Sequence, residues 1–335
     1  MFREAAEAAG TVDRQLEATA SAVGRVADEL RRRPVDAVVT LARGSSDHAA
    51  TYARYLIETQ LGLLTSSASP SVSSLYGAGP RYRNTLLLAI SQSGRSPDLL
   101  AAARAARRSG SRVVALVNVE DSPLAALADD VIPLCAGTES SVAATKSFIA
   151  SLAAVAHLVA RWSPNDALLD ALRRLPGKLA EAWALDWSAA IDPLTTACNM
   201  FVVGRGLGLG VAQEAALKLK ETCGLHAEAI SAAELRHGPL AIVRREFPVL
   251  VFSQHDATLD GTRGLIAELV SRDARVLSVG VETAGATVLP ACNDEAAIEP
   301  ILQIQAFYRL ASAVAIRRGL DPDRPVNLSK VTETL

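Results

Sequence analysis

Residues 86–100 read "LLLAISQSGRSPDLL". An apolar run, Leu86 to Ile90, gives way to Ser91-Gln92-Ser93-Gly94, then to Ser96-Pro97-Asp98 and a second apolar run. A short apolar run bounded by turn formers is the mark of a buried strand, and Ser-Pro-Asp opening a periodic segment is the mark of a helix start. The polar residues thus fall where a parallel strand ends and a helix begins, the place where α/β sheets hold ligands. Successive amides opening a helix, with hydroxyls beside them, make a pocket for a phosphate dianion. Gly94 allows close approach, Ser96 is placed to cap the helix, and Pro97 suits its first position. A polar turn with a cap would use the same residues, so the stretch alone leaves both readings open.

The rest of the chain repeats the pattern. Strands are expected at "AVVTLA" (37–42), "TLLLAI" (85–90), "RVVALV" (112–117) and "DVIPLC" (130–135). Helices are expected over about 46–60, 96–109, 122–129 and 146–162, behind an amphipathic leading segment that Pro34 stops. The second half returns the same landmarks. Arg43-Gly44 and Arg205-Gly206 are 162 residues apart, and so are Ser91-Gln92 and Ser253-Gln254. "RVVALV" at 112 returns as "RVLSVG" at 275, and "VIPL" at 131 as "VLPA" at 288. The expectation is a duplicated α/β unit, each copy a parallel sheet flanked by helices in a flavodoxin-like three-layer arrangement. Its parts are an N-terminal helical segment (1–34), a first domain (35–165), a second domain (190–320) and a C-terminal tail (321–335). Only the first copy has the phosphate-cradle composition, since "SQHDAT" puts His255-Asp256 in place of Ser93-Gly94. One phosphate site per chain is expected, with Gly44-Ser45-Ser46 beside it.

Bulk properties exclude several classes of function. The 335 residues carry a net charge of −2 and only 4% aromatic residues, which gives no footing for nucleic acid or an anionic membrane. Four scattered cysteines without a CxxC pair read as reduced thiols, and no histidine spacing fits a metal site. The charged start "MFREAAEAAG" lacks the apolar core of a signal peptide, so a cytoplasmic protein without cofactor is expected.

Two more stretches carry chemistry. In "EAALKLKETCGLHAEAISAAELRHGPLAIV" (214–243), Glu214, Lys218 and Glu221 share one helix face at i, i+4 and i+7, which is also the pattern of a salt-bridged solvent face. A loop-like segment follows, with His226, Glu228, Glu234 and His237, the last before Gly238-Pro239. The tail "DPDRPVNLSKVTETL" carries Lys330 among turn formers and by composition reads as frayed.

Taken together, "SQSG", "GTESSVAATKSF", "GRG", "EAALKLKE", "HAEA", "ELRHGPLA" and "NLSK" run in the order found in the sugar isomerase (SIS) domain family. Over essentially its whole length the chain resembles the tandem-SIS isomerase half of glucosamine-6-phosphate synthases and their stand-alone deaminase relatives. The resemblance implies that Ser91, Gln92, Ser93 and Ser96, with Ser46 alongside, bind a sugar 6-phosphate. It implies that Glu221 shuttles a proton between C1 and C2, with Lys218 one turn earlier. His237 matches the ring-opening histidine, supplied in the family by a neighbouring subunit, so a homodimer with shared active sites is implied. Lys330 matches the lysine that reacts with, or contacts, the open-chain sugar, and Val142 a position whose backbone touches it. Where the synthases read "GVASTK" this chain has Ala144, and its tail reads "VNLSKVTETL" rather than "RNLAKSVTVE". Both departures point toward deamination of glucosamine 6-phosphate to fructose 6-phosphate and ammonia, and a start that runs directly into the SIS pair leaves a glutamine-dependent synthase unexpected. A phosphosugar isomerase, a deglycase on another amino-sugar phosphate and a phosphosugar sensor are the alternatives.

Overall fold

The structure is a computed structural model that describes residues 1–330, so Val331–Leu335 of the expected tail lie outside the described residues. Two compact units emerge. One comprises Gly10–Glu139 and Lys146–Arg173; the other comprises Met1–Ala9, Ser140–Thr145 and Arg174–Lys330.

In the unit built on Gly10–Glu139, five parallel strands stand in the order β2-β1-β3-β4-β5. They are β1 (Ala37–Leu41), β2 (Leu64–Ser67), β3 (Thr85–Ser91), β4 (Arg112–Val117) and β5 (Asp130–Pro133). Every residue of β3 is buried, the apolar run that a central parallel strand requires. The helices are α2 (Ala8–Arg32), α3 (Ser45–Leu61), α4 (Pro70–Ser74), α5 (Pro97–Arg108), α6 (Pro123–Leu127) and α7 (Lys146–Trp162). Val39, Leu87 and Val113 pack with Leu99, Ala103 and Ala106 of α5 in one core. The leading segment is two helices rather than one: α1 (Phe2–Ala6) ends at Glu7, and α2 runs to Arg32, ahead of Pro34.

A long helix, α8 (Asp166–Ala184), leads into the second sheet, whose order is β10-β9-β8-β6-β7. Its strands are β6 (Asn199–Gly204), β7 (His226–Ser231), β8 (Pro248–Val251), β9 (Arg275–Val279) and β10 (Thr287–Leu289). Around it lie α9 (Ile191–Thr196), α10 (Gly208–Cys223), α11 (Leu259–Ser271) and α12 (Glu299–Arg317). Read from β7 to β10 this is the order of the first sheet, so the chain contains two copies of one doubly wound parallel unit. The loop-like reading of 226–241 is corrected here. His226–Ser231 is an edge strand paired in parallel with β6, followed by short helical turns at Glu234–His237 and Pro239–Ile242. Among the described residues no helix is long and apolar enough to cross a membrane.

The buried α7 carries His157, whose Nδ1 has no hydrogen-bond partner among the described residues. Burial, reinforced by the charge of Arg161, pushes its pKa down to about 4. The unfolded chain takes up this proton near pH 6.5 and the folded one only near 4, so the stability at stake is complete above about 6.5 and is lost as pH falls toward about 4. Urea unfolding at about pH 7 and about pH 4 should show this loss, roughly 3 kcal/mol, shrinking in His157→Leu; an unchanged acid-side loss would refute it.

Candidate active site

β1 and β3 are neighbours in register, Leu41 opposite Ala89, and the strand order reverses between them. Such a switch point opens a crevice at the carboxyl ends of the strands. Beyond β3 the chain folds on itself: Ser91 Oγ accepts from Gly94 N at 3.0 Å, and Ser93 Oγ from Arg95 N at 3.4 Å. Gly94 has φ +61°, and a Cβ there would stand 2.3 Å from Ser122 Oγ, so the position admits only glycine. Gln92 O accepts from Asn118 N at 3.3 Å and Gly94 O from Leu124 N at 3.1 Å, which tie the turn to the segment after β4. Ser46 lies in the first turn of α3, behind Gly44 at φ +56°.

The expected cap on α5 is not made. Ser96 occupies the N-cap position, but its side chain makes no capping hydrogen bond; Pro97 follows at the first helical position. The helix start is instead engaged by buried Asp98, whose Oδ1 accepts from Leu99 N at 2.8 Å. Asp98 Oδ2 also takes Arg43 Nε at 2.8 Å and Nη2 at 2.7 Å. Sequence reasoning used Arg43 only as a landmark of the repeat; the ion pair brings it to the opening of α5.

The matching crevice of the second sheet is filled by its own chain. Gln254 Nε2 donates to Arg205 O at 2.6 Å, Asp256 Oδ2 at 3.2 Å and Thr258 Oγ1 at 3.3 Å. A Cβ on Gly208, the first residue of α10, would stand 2.6 Å from Gln254 Oε1, so this side chain lies across the helix start.

Farther along α10 the i, i+4, i+7 face proves to be buried rather than solvated. Lys218 Nζ lies 2.6 Å from Glu221 Oε2 and 3.4 Å from Glu214 Oε1. The side chains of Glu214, Lys218 and Glu221 are 0%, 1% and 22% exposed. Tyr308 Oη, from α12, donates to Glu214 Oε1 at 3.2 Å. Burial is the largest single influence on Lys218 and opposes its charge, but the carboxylates of Glu214 and then Glu221 outweigh it and hold the ammonium's pKa above the usual lysine value. The outcome is a fixed cation with one sealed carboxylate behind it and one carboxylate reaching solvent.

A second group of contacts gathers the loop Ser140–Thr145. Lys330 Nζ donates to Ser141 O, Val142 N donates to Asp323 O at 3.3 Å, and Ala144 lies half-buried in the same loop. His237 shares in neither set of contacts; it sits exposed at the end of a short turn, before Gly238 at φ +138°.

Removing one partner of a buried ion pair leaves the other charge uncompensated, at a cost of about 3–5 kcal/mol. Lys218→Met should lose stability on that scale in urea unfolding, whereas Glu221→Gln, at the solvent end and with Glu214 left as counter-charge, should lose less. Equal losses in the two variants would contradict the burial order.

Comparison with known proteins agrees with this architecture. The SIS domain family matches residues 33–161 and 194–291. The glutamine–fructose-6-phosphate aminotransferase (isomerizing) of Methanothermobacter thermautotrophicus is 35% identical over 308 residues, covering 88% of this chain and 51% of that protein. The chain thus spans about half the length of the curated relatives it matches. Among solved structures, a Silicibacter pomeroyi protein assigned as a phosphosugar isomerase superposes with a TM-score of 0.93 at 43% identity, over 96% of this chain and 99% of that one. The C-terminal domain of glucosamine-fructose-6-phosphate aminotransferase from Francisella tularensis superposes with a TM-score of 0.83 at 26% identity, over 94% and 97%. With both of its parallel sheets inside the matched segments, the chain belongs to the SIS domain family.

Proposed function

We propose that this protein moves a proton between C1 and C2 of an open-chain phosphosugar, and that its reaction is the deamination of glucosamine 6-phosphate. The observation that carries the reading is the Glu214–Lys218–Glu221 arrangement: a carboxylate at the solvent margin, held at 2.6 Å by an ammonium that is itself sealed from water. A general base needs a fixed direction and access to substrate, and Glu221 has both. The named relatives, isomerizing aminotransferases and a protein assigned as a phosphosugar isomerase, support the same class of reaction.

In this reading the Ser91–Ser96 turn, with Ser46, takes the 6-phosphate through hydroxyls and amides. His237 passes a proton from O1 to the ring oxygen and opens the pyranose, acting in the site of a second copy in a homodimer. Glu221 removes the C2 proton of the amino aldose and returns it to C1. The resulting 2-imine takes up one water and leaves as fructose 6-phosphate and ammonia. Lys218 holds the base and steadies negative charge developing on the sugar oxygens. Lys330, Val142 and Ala144 contact the open-chain sugar. Alanine at 144, where synthases carry serine, favours the deaminase over synthase-like contacts.

The test is ammonia release from glucosamine 6-phosphate, with fructose 6-phosphate assayed as co-product. Glu221→Gln should lower turnover by roughly 10²–10⁴-fold while sugar-phosphate binding persists. Aldose–ketose conversion without ammonia would overturn the deaminase and keep the isomerase; full activity in the variant would overturn the base.

A further inference from the structure

The loop Ser140–Thr145 has no helix or strand of its own, so no backbone ladder holds it in place. Three successive peptide groups at its start are gripped from outside. The peptide joining Ser141 to Val142 is held at both ends by the C-terminal segment: its carbonyl receives Lys330 Nζ, and its N–H reaches Asp323 O at 3.3 Å. The preceding amides point elsewhere, to Glu4 of α1. Glu4 Oε1 accepts from Ser140 N and from Ser141 N, the latter at 3.2 Å, and Oε2 lies 3.3 Å from Ser141 N. Two successive N–H groups aimed at one carboxylate make an anion nest whose anion is part of the chain. Such bonds to an ionised acceptor are about twice as strong as neutral ones.

Glu4 is itself held. Gln305 Nε2 of α12 donates to Ala5 O at 3.0 Å inside the fold, and the Phe2 ring packs against Trp183 with centroids 4.9 Å apart. A five-residue helix that would not persist alone is thereby fixed to α12 with Glu4 facing the loop.

We propose that Glu4 is a positioning residue: by fixing the Ser140 and Ser141 amides it sets the orientation of the Ser141 carbonyl that seats Lys330 and of the Val142 backbone. Its importance for turnover rests on the sugar-contacting roles given above to Val142 and Lys330; its effect on the loop does not. Glu4 acts through these residues and touches no reacting atom.

The full chain carrying Glu4→Ala or Glu4→Gln tests this by backbone hydrogen exchange and by the rate at which an amine-acylating reagent modifies Lys330. In Glu4→Ala, exchange in peptides spanning 138–146 should rise about tenfold or more, with exchange in β3 and α10 unchanged. Lys330 should be acylated severalfold faster, because its carbonyl seat is no longer held. Glu4→Gln keeps one acceptor oxygen and should fall between the two; should Glu4→Ala not fold, Glu4→Gln is read by the same criteria. Unchanged exchange in the loop, or a rise spread evenly over α12 and the second sheet, would overturn the proposal. Kinetics on glucosamine 6-phosphate separate the two readings. A local rise in exchange with a higher KM and lower kcat supports both, and the same rise in a protein that releases no ammonia supports the positioning role while removing the deaminase.

Discussion

An ammonium group shut away from water is costly to keep charged, and Lys218 is 1% exposed. Desolvation alone would neutralise it or expel it. Two carboxylates on its own helix prevent this, and helix geometry dictates where they stand, one turn before and one turn after. The outer one is left at the solvent margin and the inner one is enclosed. Tyr308 supplies a further donor to Glu214, whose side chain is fully buried. Tyr308 of α12 and Glu221 of α10 both stand beside this one cluster of buried charge.

The two sheets began from the same plan and answer the same strand end differently. In the first, the residues after β3 form a tight turn of hydroxyls and amides with a guanidinium close by. In the second, Gln254 reaches across the start of α10 and bonds to Arg205 O. Nothing in the backbone order separates the two crevices; the side chains alone do. The buried ion pairs of α10 lie near its other end, at Lys218 and Glu221.

Much of this could be read from residues 86–100 and their echo 162 positions later, because central parallel strands are continuous apolar runs and repeat spacing survives divergence. The edge strands were harder. β2 and β7 bury one face only, and "HAEAIS" is rich in helix-forming Ala and Glu; its alternation of exposed His226 and Glu228 with buried Ala227 was the available signal. Ser96-Pro97 spells a cap, but the side chain that bonds at the helix start is Asp98, two residues on, which also pairs with Arg43. Glu4 and Tyr308 carry no local mark. Their partners lie 136 and 94 residues away, and only the folded chain shows which amides and carboxylates they meet.

The turn after β3 is braced from behind. Gly94 lies against Ser122 so tightly that a methyl group would not fit, and Ser122 in turn caps α6 by accepting from Ala125 N. A loop supported in this way is ordered before anything arrives in the crevice. In the function proposed above, an anion arriving there would forfeit little chain entropy, and its residence would depend on how well its oxygens match donors already in place. On that proposal, selectivity at this strand end would be a matter of fit to a rigid template, and tolerance for differently shaped ligands would have to come from segments less firmly tied.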